Sequence, residues 1–363
     1  MGQFSELFFK NDNKPDHFKA LDGLRGISIL LVVLSHSSKV GIFFSEYLDF
    51  NLMGKVGVYL FFVLSAYLLD RQICLAMKNG SADKNFWLEY FRRRLLRVYP
   101  MFIFALIVFY LVNFIGVETI IGEPMDILKH IFLIKGDGIF WSVGVELKYY
   151  FISPLILWVC HRYLKWDFNK MTGFIAVIII IPMICHYFFN MWRPSTFAFI
   201  PVFVTGTFFA IAEILKKDTL ETKIKPAIFD LSGVLCFVLI ILMIPSVFIA
   251  ITNTEFNFLR PLLYVPYATL WCIILLSSKY GKGIMKRFLE LKILRFFGTI
   301  SYSMYLLHIP VLAYLYKSDF PEWSKIYLFF GITMLCSTLT FLCIERPGLK
   351  IGRKWINSWK EPR

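Results

Sequence analysis

A guanidinium and an imidazole eleven residues apart in one apolar segment are the groups of this chain best placed to do chemistry. Arg25 and His36 lie in FKALDGLRGISILLVVLSHSSKV, residues 18–40. Eleven helical steps of about 100° return to within about 20° of the start, so both side chains share one face, about 16 Å apart along the axis. Asp22 stands three residues before Arg25, within helical reach of it. An ionisable line inside an apolar helix is costly and usually has a purpose. The bland alternative for His36 is a hydrogen-bonded core histidine. The functional reading is a long thin ligand, its anionic head near Arg25 and its tip at His36.

A second group is FWSVGVELKYYFISP, residues 140–154. Ser142 and Glu146 are four apart and share a face. Ser142 capping the helix and Glu146 complementing its dipole would suffice in a soluble protein. In a membrane, an acid one turn deep among aromatic residues suits catalysis, and a carboxylate beside an imidazole makes a general base. RRRLLRVYP, residues 92–100, places Arg94 and Arg97 three apart next to an apolar run. They could clamp phosphate by charge-assisted bonds, or serve only orientation, the simpler reading for Arg92 and Arg93. In GTISYSMYLLHIP, residues 298–310, Ser301, Tyr305 and His308 recur at helical spacing beside Tyr302. Packing is the alternative there. Gly54, Gly57 and Ser65 permit close helix contact, and Glu345 in IERPG is placed to cap a helix or pair with an arginine.

The elements that must position these groups are membrane spans. The 363 residues are 58% hydrophobic and 18% charged, with mean hydropathy +0.63, and the apolar residues come in blocks of about twenty, the length a bilayer core demands. The chain reads as an all-α, polytopic membrane helix bundle. Ten spans are expected at roughly 20–40, 55–71, 98–117, 141–160, 172–190, 195–215, 228–250, 258–278, 296–316 and 324–345. Pro154, Pro182, Pro201, Pro245, Pro261, Pro266 and Pro310 fall in or beside spans, which bundled helices tolerate. The inner segment 72–97 carries SADKNFWLEYFRRRLLRVYP, which reads as a short amphipathic interfacial helix, and MDILKHIFLI, 125–134, reads as a short outer helix. No tandem repeat or duplicated half with paired broken helices is evident, which weakens a secondary-transporter reading.

The net charge of +14 is explained by topology rather than nucleic acid. With both termini cytoplasmic, inner segments carry 29 Lys and Arg and outer loops eight, the positive-inside pattern. That charge also favours anionic lipids of the inner leaflet. The seven cysteines form no CxxC pair and the six histidines no HxxxH pair, so neither a disulfide framework nor a metal site is expected. The polar N-terminus does not resemble a cleavable signal peptide.

Taken in order, LDGLRGISILLVVLSH, GVYLFFVLSAYLL, RRRLLRVYP, WSVGVEL, SYSMYLLHIP and IERP resemble the motifs of the acyltransferase-3 family of integral-membrane O-acyltransferases, over nearly the whole chain. The resemblance implies a ten-helix enzyme of the cell inner (plasma) membrane. Such an enzyme moves an acetyl or other short acyl group from cytoplasmic acyl-coenzyme A to a hydroxyl of an extracytoplasmic glycan or glycolipid. It implies His36 as the central catalytic residue, with Arg25 and Glu146 supporting it. Arg94, Arg97 and Asp22 are then expected at the donor. Ser65, Trp141, Ser142, Tyr302, Tyr305 and His308 are expected at the acceptor. Ala66 stands where the family usually has Gly, and Lys148 where it commonly has Gln. One transmembrane domain over 1–363, without an appended soluble domain, is expected. His36 could act as general base or as acyl-accepting nucleophile. A flippase of lipid-linked sugars and a sensor or scaffold are the rival readings. The acceptor's identity, the acyl length and the oligomeric state are not legible.

Overall fold

The computed structural model describes residues 7–9, 18–45, 47–189, 195–254 and 261–357. In chain order its helices are α1 Lys19–Lys39, α2 Met53–Lys78, α3 Lys84–Val112, α4 Pro124–Ile131, α5 Phe140–Arg162, α6 Phe168–Phe189, α7 Thr196–Leu215, α8 Pro226–Leu242, α9 Pro245–Thr252, α10 Tyr264–Tyr280, α11 Ile284–Leu289, α12 Lys292–Thr299, α13 Ser301–Lys317, α14 Glu322–Thr340 and α15 Arg346–Asn357. Among the described residues there is no strand.

Eight helical segments are long and apolar enough to cross a membrane. Two further pairs reach that length only together and are bent, α8 with α9 by 82° and α12 with α13 by 75°. With each bent pair counted as one span, the described residues hold the ten expected. It is a multi-pass membrane protein. Pro245, read from sequence as tolerated within a span, instead ends α8. It lacks an N–H, and the residue before it, Ile244, is extended at φ −65°, ψ 124°. The break between α12 and α13 has no proline.

The interfacial helix expected within 72–97 is not separate. Asp83 caps a helix by accepting from Phe86 N at 2.8 Å, and α3 then runs unbroken for 29 residues through Pro100. Proline at that position frees the carbonyl of Leu96, and Gly348 of α15 packs directly against that oxygen. The short helix expected over 125–134 is present as α4, Pro124–Ile131.

The chain forms two compact units, each assembled from separated stretches. One comprises Met1–Arg71, Trp166–Trp192 and Phe197–Ser301; the other comprises Gln72–Lys165, Arg193–Thr196 and Tyr302–Arg363. In the first, α1 meets α12 and its neighbour α11 backbone to backbone. A Cβ on Gly23 would lie 1.8 Å from Leu289 O, on Gly26 2.0 Å from Leu294 O, and on Gly298 1.7 Å from Asp22 O. The expected small-residue contact of α2 is also present: Ser28 Oγ donates to Gly57 O at 2.5 Å, and Gly54 lies against Ser35. Trp271 Nε1 donates to Val56 O at 3.2 Å and ties α10 to α2. In the second unit, Phe102 and Phe109 pack edge-on or tilted against Phe140, and Tyr302 Oη donates to Val98 O at 3.0 Å.

Gly298→Ala must push α12 off α1, and it is expected to lower stability by about 3 kcal/mol or more. Gly331→Ala, with open space around the new methyl, should change it by less than about 0.5 kcal/mol. Thermal unfolding in detergent measures both.

Candidate active site

In the first unit, α1 is unbroken from Lys19 to Lys39, so the shared face of Arg25 and His36 is real. Arg25 Nη1 pairs with Asp22 Oδ1 at 3.5 Å, as the spacing predicts. Both Arg25 and His36 are half-buried. The His36 ring is anchored to the backbone of Val32, one turn back. A ring N–H committed to that carbonyl fixes the tautomer and makes the other ring nitrogen the basic one. Ser65 is half-buried on α2, and the neighbouring Ala66 methyl meets Gly206 of α7, where a Cβ would lie 3.2 Å away.

The same unit holds a charge cluster that the sequence reading did not single out. Glu213 of α7 is buried and accepts from Tyr67 Oη, from Lys279 Nζ, and from Tyr280 Oη at 2.9 Å. Arg71 Nε lies 3.5 Å from its other side. Thr207 Oγ1 donates to the buried Asp70 beside it. In sequence Glu213 stands at the end of an apolar span with Lys216 and Lys217 three and four residues on. Helical spacing names those two lysines as its partners, whereas the groups that meet it, Tyr67 and Lys279, come from α2 and α10.

In the second unit, Arg94 and Arg97 sit on α3 with Tyr90, and Arg94 lies within the electrostatic reach of Tyr150, Arg97, Tyr90 and Glu146. Tyr150 Oη donates to Glu146 Oε1 at 2.5 Å, and Tyr90 Oη donates to Tyr150 O at 3.1 Å. Tyr302 faces the same field, which includes Glu146, Glu345, Tyr150 and Arg97. Arg94 Nε is buried with no hydrogen-bond partner. Two guanidiniums, two carboxylates and three phenols thus converge, and one cationic donor within them is unsatisfied.

A second polar run lies along α5 and α13 of this unit. Ser142 Oγ donates to Tyr305 Oη at 2.7 Å, and Tyr305 Oη donates to Ile139 O at 2.8 Å. Ser142 therefore does not cap α5, whose N-cap is Ile139 without a side-chain bond. Glu146 is the seventh residue of that helix, beyond the turn where the dipole acts. His308 is fully buried and its Nδ1 donates to Tyr305 O at 2.7 Å. Trp141 is half-buried, while Lys148 is exposed and stands apart from the cluster. Ser303 Oγ donates to the buried Glu345 at 2.7 Å, so that acid meets a serine hydroxyl in the interior.

A clasp closes the loop before α5. Lys135 Nζ hydrogen-bonds Asp126 Oδ1 at 2.9 Å, which holds the Asp126 carboxyl below its ordinary value of 3.8. Because the folded value is depressed, the clasp is at full strength above about pH 4 and is lost only as the medium becomes more acid. His130 is buried beneath it. Its Nδ1 donates to Asp126 O at 2.8 Å and its Nε2 accepts from Asp137 N at 3.2 Å.

Comparison with known proteins gives one family. A family model described as an acyltransferase domain matches residues 18–343. A Staphylococcus aureus (strain COL) protein named "Putative O-acetyltransferase" is 24% identical over 97% of this chain and 60% of its own length. O-acetyltransferase OatA of Staphylococcus aureus (strain NCTC 8325 / PS 47) is 23% identical over 94% of this chain and 58% of its own. The chain thus spans about three-fifths of the length of these relatives. No solved structure matches it significantly.

Glu213→Gln strips Arg71 and Lys279 of their shared counter-charge inside the bundle, and it is expected to cost about 3–5 kcal/mol. Adding Lys279→Met should restore part of that loss. Thermal unfolding of the single and double variants reads the difference.

Proposed function

The chain belongs to the acyltransferase-3 family, and from that premise we propose that it is a membrane O-acyltransferase. It moves an acetyl or other short acyl group from acyl-coenzyme A on the cytoplasmic face of the plasma (inner) membrane to a hydroxyl of an extracytoplasmic glycan. The observation that carries this reading is α1, an unbroken helix with a cation and a base on one face, spaced for a long thin donor. The positive-inside charge pattern supports cytoplasmic termini, with Arg25 toward the inner side and His36 toward the outer. The names of the relatives support acetyl as the group transferred.

The residues present suit such a donor. The buried Arg94 Nε lacks a partner, and a phosphate would supply one through the charge-assisted bonds that arginine forms best. Arg97 adds a second guanidinium, and Glu146 within the same field steadies both. Asp22 holds Arg25 in place. At the far end of α1 the basic nitrogen of His36 takes the proton of the acceptor hydroxyl. The hydroxyl oxygen attacks the thioester carbonyl, the new C–O bond forms, the C–S bond breaks, and the thiolate leaves to be protonated. Ser142, Tyr302, Tyr305 and His308, with Trp141 and Ser65, offer the acceptor hydroxyl-binding groups.

His36→Ala should lower transfer of labelled acetyl from acetyl-coenzyme A to envelope polysaccharide in membrane vesicles by at least about a hundredfold, with protein abundance and unfolding temperature unchanged. Transfer at the unaltered rate would overturn the assignment. Arg94→Ala should instead raise the donor KM with a smaller change in kcat, read in the same assay.

A further inference from the structure

We propose that a cleft formed by the end of α3 and the end of α13 is a subsite for a neutral saccharide ring, the part of the acceptor that docks before it reacts. This rests on the reading above, in which the acceptor is an extracytoplasmic glycan. The cleft has a volume of about 450 Å³ and is lined by Gly116, Val117, Tyr314, Lys317, Asp319 and Phe320, among others. That volume suits a small ligand.

Both walls are fixed in advance. On one side, Asn113 Nδ2 donates to Ile121 O at 2.7 Å, Thr119 N donates to Asn113 Oδ1 at 2.8 Å, and Thr119 Oγ1 donates to Phe109 O at 2.7 Å. Val117 and Ile121 are buried and anchor the loop from below. Gly116 turns it at φ 83°, a conformation side chains resist. On the other side, Ser318 Oγ donates to Leu315 O at 2.7 Å and closes the end of α13. A rigid cleft spends little entropy on ordering itself around a ligand.

Its chemistry selects the ligand. Tyr314 and Phe320 are half-exposed rings that can cover the C–H face of a sugar. Asp319 carries two acceptor oxygens, which fit a pair of adjacent hydroxyls. The cation is already committed, since Lys317 Nζ pairs with Glu118 Oε1 at 3.5 Å. One lysine against Glu118 and Asp319 leaves the rim negative, which repels a phosphate or an anionic lipid headgroup and tolerates a neutral polyol. The placement fits as well. Tyr314 lies six residues beyond His308 on α13, about 9 Å along the axis, so a chain seated in the cleft needs only a sugar or two to reach the level of Tyr305 and His308.

The test is protection from labelling. Lys317→Cys, in right-side-out vesicles, should react with a membrane-impermeant maleimide above the background of the unaltered chain. Millimolar oligosaccharides of glucose, N-acetylglucosamine or rhamnose, tried in turn, should slow that reaction at least threefold for one of them. Asp319→Asn and Phe320→Ala, both at exposed positions, should abolish the protection. Absence of protection by every saccharide, or protection by glycerol phosphate instead, would overturn the subsite. Acetyl transfer measured in the same vesicles separates the two readings. Protection without transfer removes the enzymatic reading and keeps the subsite, whereas transfer without protection does the reverse.

Discussion

Glycine hydrogens pressed against carbonyl oxygens set the position of α1, and with it the line of groups that α1 carries. At Gly23, Gly26 and Gly298 there is no room for a methyl. Lipid tails are as apolar as leucine, so helices in a bilayer gain nothing from hiding apolar side chains from each other. What holds them is closeness, which small residues allow. A contact made of backbone has no rotamers to rearrange, so it fixes the rotation of α1 about its axis. Glycine costs about 1 kcal/mol each in a helix interior relative to alanine. Here that cost secures the direction in which Arg25 and His36 point.

Buried charge is the second constraint, and the two units meet it differently. Around Glu213 every oxygen is engaged by a hydroxyl, an ammonium or a guanidinium. That cluster binds three helices together. Around Arg94 the balance is incomplete, because a guanidinium nitrogen is sealed from water without an acceptor. A buried polar atom left unmade costs stability and calls for an explanation. An anionic ligand would supply one at Arg94, whereas Arg71 Nε, also without a hydrogen bond, has its charge balanced by Glu213 at 3.5 Å.

Local spacing was the legible part of this protein. The common face of Arg25 and His36, the Asp22–Arg25 pair, the Gly54 and Gly57 contact and the short helix over 124–131 all follow from period 3.6 and residue size. Interactions between distant stretches were not legible. Glu213 meets Tyr67 across 146 residues and Lys279 across 66, and no periodicity links such positions. Pro100 and Pro245 show why even a clear signal can mislead. Both are prolines in apolar helices, yet one is carried through α3 and the other ends α8. At Pro100 the freed Leu96 carbonyl is covered by Gly348, and that neighbour belongs to a helix some 250 residues away in sequence.

The break before α13 has a different origin, and it bears on the late Tyr and His motif. Gly298, next to last in α12, lies with its backbone against Asp22 O. Ile300 leaves the helical path at φ −93°, ψ 6°, and Ser301 Oγ takes up the Gly298 carbonyl at 2.8 Å. The chain then starts a new helix inside an apolar segment, so α13 begins with unpaired N–H groups and a partial positive charge where hydrocarbon would ordinarily forbid them. Glu345 is bonded to Ser303 of that first turn. Tyr302, Tyr305 and His308 follow within the first turns. Polar side chains are tolerated there because the backbone is itself polar, and irregular backbone at membrane depth is tolerated only where protein or a cavity surrounds it. A hydropathy count sees one ordinary span over 296–316. The chemistry of that span depends on its being two helices.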